Sequence, residues 1–151
     1  MILQIDITRC LGCHSCELAC AVEHSRSKQL SGAIEESPPP GYRVSVIGVD
    51  NAVGPLQCGH CDDAPCVLVC PSGALVKSED GPVLLNDELC VGCRLCLISC
   101  PFGVIYSNVE GKAVIKCDLC LDRLALGDNP ACVTACPTGA LRFEEPEINN
   151  D

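Results

Sequence analysis

Apolar and polar residues alternate along this chain in short segments. Residues 2–7 and 42–49 alternate and predict strands, whereas residues 16–22 favour a short helix. The longest apolar run contains only a handful of residues, far fewer than the roughly 20 needed to cross a bilayer. The pattern therefore predicts a small α+β fold of short elements, with no direct insertion into a membrane.

Two β-hairpins are predicted in the second half of the chain. Apolar residues 74–76 and 83–85 flank an Asp-Gly turn signal. Residues 104–106 and 113–115 flank a Glu-Gly turn signal in the same way. A final strand is predicted at residues 140–143.

The first half contains the least regular stretch. Residues 25–41 are rich in Ser, Pro and Gly, and three consecutive prolines at 38–40 favour extended polyproline geometry. The stretch is predicted to be a surface connection, or alternatively an arm that contacts a partner. Residues 51–55 predict a turn after the strand at 42–49.

Sixteen cysteines form four quartets, and no cysteine is left over. The third quartet, CVGCRLCLISCP, matches the C-x2-C-x2-C-x3-C-P run of bacterial 4Fe-4S ferredoxins in every spacing. The first, CLGCHSCELACA, matches except that Ala21 replaces the proline. The second and fourth keep the opening pair and the closing Cys-Pro around a lengthened middle. The quartets are Cys10, Cys13, Cys16, Cys20; Cys58, Cys61, Cys66, Cys70; Cys90, Cys93, Cys96, Cys100; and Cys117, Cys120, Cys132, Cys136.

The spacing fits the needs of a cubane cluster, which takes one thiolate at each of four iron corners. A tight C-x2-C-x2-C loop supplies three of them. In two-cluster ferredoxins the cysteine three residues further on ligates the other cluster, so quartets work in reciprocating pairs. Four quartets therefore predict two pairs and four clusters.

Spacing alone leaves open which quartets pair, because similar lengths of chain join the second to the third and the third to the fourth. The hairpin predicted between the second and third quartets is typical of a compact ferredoxin of about 50 residues. We therefore expect residues 57–106 to form one dicluster module, inserted into an outer module made of residues 1–56 and 107–151. The predicted fold is a nested pair of bacterial dicluster ferredoxin-like modules.

Other uses of cysteine fit less well. A disulfide scaffold belongs to secreted chains, but MILQIDITRC has no basic segment followed by an apolar one and a cleavage site. Structural zinc prefers two C-x2-C pairs separated by a dozen or more residues. Only the fourth quartet comes near that spacing.

Composition and charge add two expectations. The chain has no Trp, two Tyr, two Phe and one Met, so four clusters would have to fill its core and supply folding free energy. The formal net charge is −10, and ligated oxidised clusters would bring it to about −18. Such a charge excludes nucleic acid as a partner and discourages docking on anionic lipid.

Several polar residues lie beside ligating cysteines. His14 and His60 could donate hydrogen bonds to cluster sulfur, or could face water or a partner. Positive charge on Arg9, Arg94 and Lys116 would raise a cluster potential, although a solvated surface role is equally compatible.

A glycine follows three of the quartets at the same offset, in PSGAL, PFGVI and PTGAL. Gly73, Gly103 and Gly139 suit a backbone that turns away from a cluster with φ near or above zero. We therefore expect the same local turn after the second, third and fourth quartets.

Together these segments resemble a known family. The chain looks like the four-cluster, sixteen-cysteine ferredoxin-type electron-transfer subunits. The resemblance is carried by the segments CLGCHSCELACAVEHS, QCGHCDDAPCVLVCPSGAL, CVGCRLCLISCPFGVI, KCDLC and PACVTACPTGAL. Their relatives serve molybdenum and tungsten oxidoreductases, carbon monoxide dehydrogenases, formate dehydrogenases and hydrogenases. In that family the first quartet shares clusters with the fourth and the second with the third, which agrees with the insertion expected above.

The resemblance implies four ligand sets, each joining three cysteines of one quartet to the closing cysteine of its partner. The outer pair gives Cys10, Cys13, Cys16 with Cys136 (cluster 1) and Cys117, Cys120, Cys132 with Cys20 (cluster 4). The inner pair gives Cys58, Cys61, Cys66 with Cys100 (cluster 2) and Cys90, Cys93, Cys96 with Cys70 (cluster 3). Cysteine occupies every ligand position, so all four clusters are expected to be 4Fe-4S.

The expected function is electron transfer without catalysis. No dinucleotide or phosphate-loop motif is present. The chain is expected to relay electrons between a catalytic subunit, pterin-dependent or nickel-iron-sulfur, and a redox partner. GCHSCELACAVEHS and SPPPGYRVSV look most like the small subunits of carbon monoxide dehydrogenases and tungsten or molybdenum aldehyde oxidoreductases. A freestanding polyferredoxin and a zinc-stabilised interaction module are the alternatives. A cytoplasmic location and a role in anaerobic metabolism are expected.

Overall fold

A computed structural model of the chain describes residues 2–50, 52–78, 81–108 and 111–144. Within these ranges the elements are short and joined by tight loops. The strands are β1 (Ile2–Ile5), β2 (Val44–Val49), β3 (Ala52–Gln57), β4 (Leu75–Lys77), β5 (Val83–Leu85), β6 (Tyr106–Ser107), β7 (Val114–Ile115) and β8 (Leu141–Glu144). The helices are α1 (Ser15–Glu23), α2 (Leu30–Glu35), α3 (Pro65–Leu68), α4 (Leu95–Ser99), α5 (Leu121–Ala125) and α6 (Ala131–Thr134). The α+β class is as predicted.

The strands form antiparallel pairs. Strand β1 pairs with β8, while β2–β3, β4–β5 and β6–β7 join neighbours along the chain. The β1–β8 pair joins the two ends of the described chain, with Ile5 opposite Leu141. Because α1 packs against α6, the first quartet also lies close to the fourth.

The buried side chains form two cores rather than one. The first core contains Cys16, Cys20, Val44, Cys132 and Leu141, with Cys136 packed against it. The second core is built around the second and third quartets and contains Ala64, Cys66, Leu75, Val83, Cys96, Ile105 and Val114. Cysteine thus occupies places in both cores that large apolar side chains fill in most small domains.

Both predicted hairpins are present, as β4–β5 and β6–β7. Their turn signals fall partly on Asp80 and Glu110, which lie outside the described residues. Strand β6 spans residues 106–107, the point at which the outer module was predicted to resume. Its partner β7 contributes Val114 to the core of the second and third quartets.

Two expectations about local structure were wrong, and a third was incomplete. The strand predicted at residues 2–7 ends at Ile5, and Ile7–Arg9 forms a turn of 3-10 helix capped by the Asp6 carboxylate. The surface connection predicted at residues 25–41 is largely exposed, as expected, but it also contains the helix α2, which buries Ala33. The Glu36 carboxylate accepts the backbone N–H groups of Arg26 and Ser27, so contacts across ten residues stabilise this segment.

The predicted turn at 51–55 is instead the strand β3, apart from Asn51, which lies outside the described residues. Gly54 and Pro55 indicated a turn, but both lie within the strand. A proline lacks an N–H and is tolerated on the free edge of a two-stranded sheet. Pairing with β2 along six positions outweighs the local turn preference.

No helix in the described parts of the chain is long and apolar enough to cross a membrane.

Candidate metal centres

The first cavity joins cysteines from the two ends of the chain. Cys10, Cys13 and Cys16 line it together with Cys136, and Val46 and Leu141 close its apolar side. Cys10 and Cys13 lie in the loop before α1, Cys16 in its first turn and Cys136 just after α6. These are the four residues of the set predicted for cluster 1.

The second cavity repeats this arrangement in the middle of the chain. Cys90, Cys93 and Cys96 line it with Cys70, and Leu75, Leu85 and Val114 form the apolar wall. Cys70 closes the second quartet, so the cavity joins two quartets in the way predicted for cluster 3. Because Cys13 and Cys93 are exposed, both cavities reach the protein surface.

Most of the remaining cysteines are grouped by their mutual electrostatic interactions. The Cys132 thiol interacts most strongly with those of Cys117, Cys20 and Cys120, the set predicted for cluster 4, and more weakly with that of Cys16 from the cluster 1 set.

For cluster 2, the Cys66 thiol interacts with those of Cys58 and Cys100. The fourth member of that set, Cys61, follows His60 in the same loop, and its carbonyl oxygen accepts from the Lys77 ammonium at 3.1 Å.

Left-handed backbone geometry shapes the ligand loops. In the first quartet Gly12 and His14 have φ of 64° and 60°, and in the third Gly92 and Arg94 have φ of 68° and 64°. A side chain at Gly92 would meet the backbone oxygen of Lys112 at 2.7 Å, so this position requires glycine for two reasons. The repeated conformation wraps each loop around its cavity.

The glycines that follow three quartets also have left-handed φ, as predicted. Gly73, Gly103 and Gly139 have φ of 65°, 63° and 62°. Each donates its N–H to the carbonyl oxygen of the closing cysteine of its quartet. The same turn therefore follows the second, third and fourth quartets.

Burial disfavours thiolates at several of these cysteines. It raises the pKa of the Cys16 thiol to about 11 and the pKa values of Cys20 and Cys117 to about 12. It also raises the pKa of Cys132. Iron binding requires the thiolate, and a bound metal supplies the positive charge that favours it. The buried cysteines therefore need a metal to hold them in the ligand state.

The closing cysteines of the second and fourth quartets show the opposite balance. Burial acts to raise the pKa values of Cys70 and Cys136, but hydrogen bonds from nearby backbone N–H groups and from the hydroxyls of Ser72 and Thr138 outweigh it. The pKa of each thiol is lowered as a result.

The donor set fits iron–sulfur clusters. All sixteen cysteines are free thiols, and backbone N–H groups point at several sulfurs. Arg43 N lies 3.2 Å from Cys20 Sγ, His60 N lies 3.4 Å from Cys58 Sγ and Leu119 N lies 3.5 Å from Cys117 Sγ. Such N–H groups stabilise negative charge on thiolate and cluster sulfur.

The five polar residues singled out in the sequence divide into two groups. Arg9, Arg94 and His14 are exposed, and His14 pairs with Glu17 at 2.8 Å. His60 and Lys116 are buried, with 7% and 3% of their surface exposed, so a solvated role is wrong for both. Their spacing from the cysteines gave no sign of this burial, which depends on packing between distant segments.

Sequence reasoning missed two residues around Cys20. The Nδ1 atom of His24 lies 2.7 Å from the Cys20 carbonyl oxygen, while its Nε2 atom lies 3.2 Å from the Asp118 carboxylate. The Nε and Nη1 atoms of Arg43 are buried without a hydrogen-bond partner in the described structure. These nitrogens are donors that cluster sulfur could satisfy. Strand alternation alone does not distinguish Arg43 from a surface residue.

His24, Asp118 and Cys120 also bring three potential ligand atoms within 4.8 Å of one another. Cys120 already belongs to the set predicted for cluster 4. A separate metal at this place would therefore compete with that cluster for the same thiol.

Comparison with known proteins gives a consistent result. The 4Fe-4S dicluster domain family matches residues 49–146. An iron-sulfur protein of Rhodospirillum rubrum is 43% identical, over 95% of this chain and 81% of its own length. A subunit of the anaerobic dimethyl sulfoxide reductase of Escherichia coli K12 is 38% identical, over 92% of this chain and 70% of its own length. The thiosulfate reductase electron transfer subunit of Salmonella typhi is 40% identical, over 95% of this chain and 76% of its own length.

Among solved structures, one similar protein comes from the active site complex BamBC of benzoyl coenzyme A reductase with zinc. It is 25% identical with a TM-score of 0.48, over 96% of this chain and 81% of its own.

Proposed function

The chain belongs to the 4Fe-4S dicluster domain family, and on this premise we propose that it is the non-catalytic electron-transfer subunit of an oxidoreductase complex. The observation that carries the proposal is that each of two cavities is assembled from cysteines of two different quartets. Cys136 completes the cavity of Cys10, Cys13 and Cys16, as the pairing of ferredoxin quartets requires. The reductase subunits named above support the assignment.

The chain carries four 4Fe-4S clusters, which supply one-electron redox chemistry when bound. We propose that they are held by the four ligand sets stated above. Two cavities and the electrostatic groups around Cys132 and Cys66 support these sets. The chain contributes the thiolates, the backbone N–H groups that face sulfur, and an apolar wall that limits water.

We further propose the nested arrangement of residues 57–106 within residues 1–56 and 107–151. Two observations support it. The β1–β8 pair joins the ends of the outer segments, and the two cores separate the first and fourth quartets from the second and third.

The proposed partner is the catalytic subunit of a molybdenum-dependent reductase. The relatives from Escherichia coli and Salmonella typhi are named as subunits of dimethyl sulfoxide and thiosulfate reductases, and they cover more than nine-tenths of this chain. A tungsten or molybdenum aldehyde oxidoreductase and a carbon monoxide dehydrogenase remain predictions for the same role. A cytoplasmic location and a separate redox partner protein are also proposed.

The test is capture of the native complex through this chain under anaerobic conditions. The expected result is one large co-purifying subunit whose substrate bleaches the visible absorbance of this chain. The matched control is the Cys136→Ala variant, which is expected to lose one cluster and with it part of the bleaching. A brown protein that purifies alone and exchanges electrons with several enzymes would instead identify a freestanding polyferredoxin.

A further inference from the structure

Lys116 joins two parts of the chain through a buried ammonium group. Its Nζ atom donates to the carbonyl oxygen of Val83 at 2.5 Å and to that of Cys117 at 2.8 Å. Val83 begins β5, between the second and third quartets, whereas Cys117 opens the fourth. Lys116 therefore lies where the cores of the two quartet pairs meet.

This ammonium has no acidic side chain as a direct partner in the part of the chain that the structure describes. Among the residues that the structure describes, no carboxylate lies within 4.0 Å of Lys116 Nζ. The carbonyl oxygens satisfy its hydrogen bonds but carry no net charge. Because an uncompensated buried charge is strongly destabilising, negative charge close to Lys116 stabilises the folded protein, and the Asp118 carboxylate, which acts on the adjacent His60 ring, supplies part of it from beyond contact distance.

Thiolates from two ligand sets are in position to provide that charge. Lys116 Nζ lies 3.5 Å from the Nδ1 atom of His60, which stands between Cys58 and Cys61. Lys116 interacts electrostatically with the Cys66 thiol, and Cys58 interacts with Cys117. The ammonium therefore lies beside the cluster 2 set through His60 and Cys66, and beside the cluster 4 set through its hydrogen bond to the Cys117 backbone carbonyl.

The His60 ring supports this arrangement. Its Nδ1 atom accepts the Val83 N–H at 3.0 Å, so in the neutral ring Nε2 carries the proton. That Nε2 atom is buried without a partner in the described structure. The junction thus presents one cation and one additional donor, the pattern expected beside negatively charged sulfur.

We propose that Lys116 is a cation shared by clusters 2 and 4 and that it raises the reduction potential of both. Reduction adds one negative charge to a cluster, and nearby positive charge in a buried place favours the reduced form. This inference rests on the ligand sets given under the proposed function. Lys77 provides a contrast, because its ammonium binds the carbonyl oxygens of His60 and Cys61 and so lies beside the cluster 2 set.

The experiment is a redox titration of the cluster-loaded chain, followed by electron paramagnetic resonance. Lys116→Gln is expected to shift two of the four potentials to more negative values. Lys77→Gln is expected to shift one, and that one is among the two that Lys116→Gln moves. Lys116→Arg, which keeps the charge, leaves all four unchanged. So does the control Arg26→Gln, which removes an exposed charge paired with Glu36.

Four unchanged potentials in Lys116→Gln, or a shift confined to one, would overturn the proposal. If the potentials shifted by Lys116→Gln did not include the one shifted by Lys77→Gln, the ligand sets on which the proposal rests would be wrong. Lys116→Met replaces the glutamine variant if that variant loses clusters. Cluster loss in both neutral variants would show that Lys116 is needed to hold the clusters rather than to set their potentials, and would overturn the proposal too. If the unsubstituted chain lacked four redox components, the proposed function itself would fail.

Discussion

Ile5 at the end of β1 lies directly opposite Leu141 at the start of β8. This pairing closes the ends of the described chain on each other and brings the quartet that begins at Cys10 to the one that ends at Cys136. Leu141 is 2% exposed and also lines the cavity of those cysteines, whereas Ile5 is 39% exposed. The two residues are paired in the sheet, but the Leu141 side chain is buried and the Ile5 side chain is exposed.

This difference predicts unequal effects of truncation. Leu141→Ala is expected to lower the free energy of unfolding by about 2–5 kcal/mol, because it leaves a cavity in the core that holds Cys16 and Cys132. Ile5→Ala is the matched control, and it is expected to lower the free energy of unfolding by less. Anaerobic denaturant unfolding of the cluster-loaded protein measures both. Equal losses would contradict the assigned core.

A second prediction concerns glycines with the same backbone conformation and different surroundings. A Cβ atom at Gly103 would meet no atom within 4 Å. Gly103→Ala is therefore expected to lower the free energy of unfolding by about 1–2 kcal/mol from its left-handed φ alone. Gly92→Ala adds a clash with the Lys112 backbone and is expected to cost more and to release cluster 3. Denaturation midpoints and iron content measure the two variants. Comparable stability and iron content in both would show that the close approach at Gly92 is absent.

Local sequence patterns predicted both hairpins and the left-handed glycines because their signals lie within a few residues. Spacing also indicated that ferredoxin quartets work in pairs, and the family resemblance joined Cys136 to Cys10. The strand β3 was missed because Gly54 and Pro55 favour a turn until β2 pairs with them. The burial of Lys116 was missed because it depends on Val83, in a hairpin remote from it along the chain.

The third prediction tests the segment that contains α2. Hydrogen bonds from the backbone N–H groups of Ser27 and Arg26 lower the pKa of Glu36. A lowered folded-state pKa means that the carboxylate stabilises the fold above the unfolded value, and that this contribution is lost as pH falls through the folded value. Glu36→Gln is expected to speed amide exchange at Ser27, whereas the adjacent Glu35→Gln is not.

Hydrogen exchange with mass spectrometry, corrected for intrinsic rates, measures this effect as pH falls from about 5 to below the unfolded value of about 4.3. Protection at Ser27 is expected to fall toward the acid end in the unsubstituted chain. If Glu36→Gln and Glu35→Gln exchanged alike, the contact would not stabilise the segment.

The fourth prediction follows from the cysteine-rich cores. With no Trp and two Phe in the chain, the free energy of folding is expected to depend on bound clusters. Removal of iron by an anaerobic chelator is expected to abolish the cooperative transition seen by circular dichroism. A near-native, cooperative melt of the iron-free chain would contradict this account.

The fifth prediction tests the ligand sets by paired substitution. Cys10→Ala and Cys136→Ala are expected to remove the same cluster, although their positions lie near opposite ends of the chain. Cys20→Ala is the matched control, because it is expected to remove the neighbouring cluster 4. Electron paramagnetic resonance of the reduced variants identifies the missing signal. Loss of different signals in the first two variants would refute the exchange of ligands between the first and fourth quartets.

The most direct test of the central claim is the metal content of the native complex captured anaerobically through this chain. Four 4Fe-4S clusters predict about sixteen iron atoms in each chain. Molybdenum or tungsten that rises with the iron would identify a pterin-dependent catalytic partner, and nickel would identify carbon monoxide dehydrogenase or hydrogenase. Zinc without iron would contradict the account.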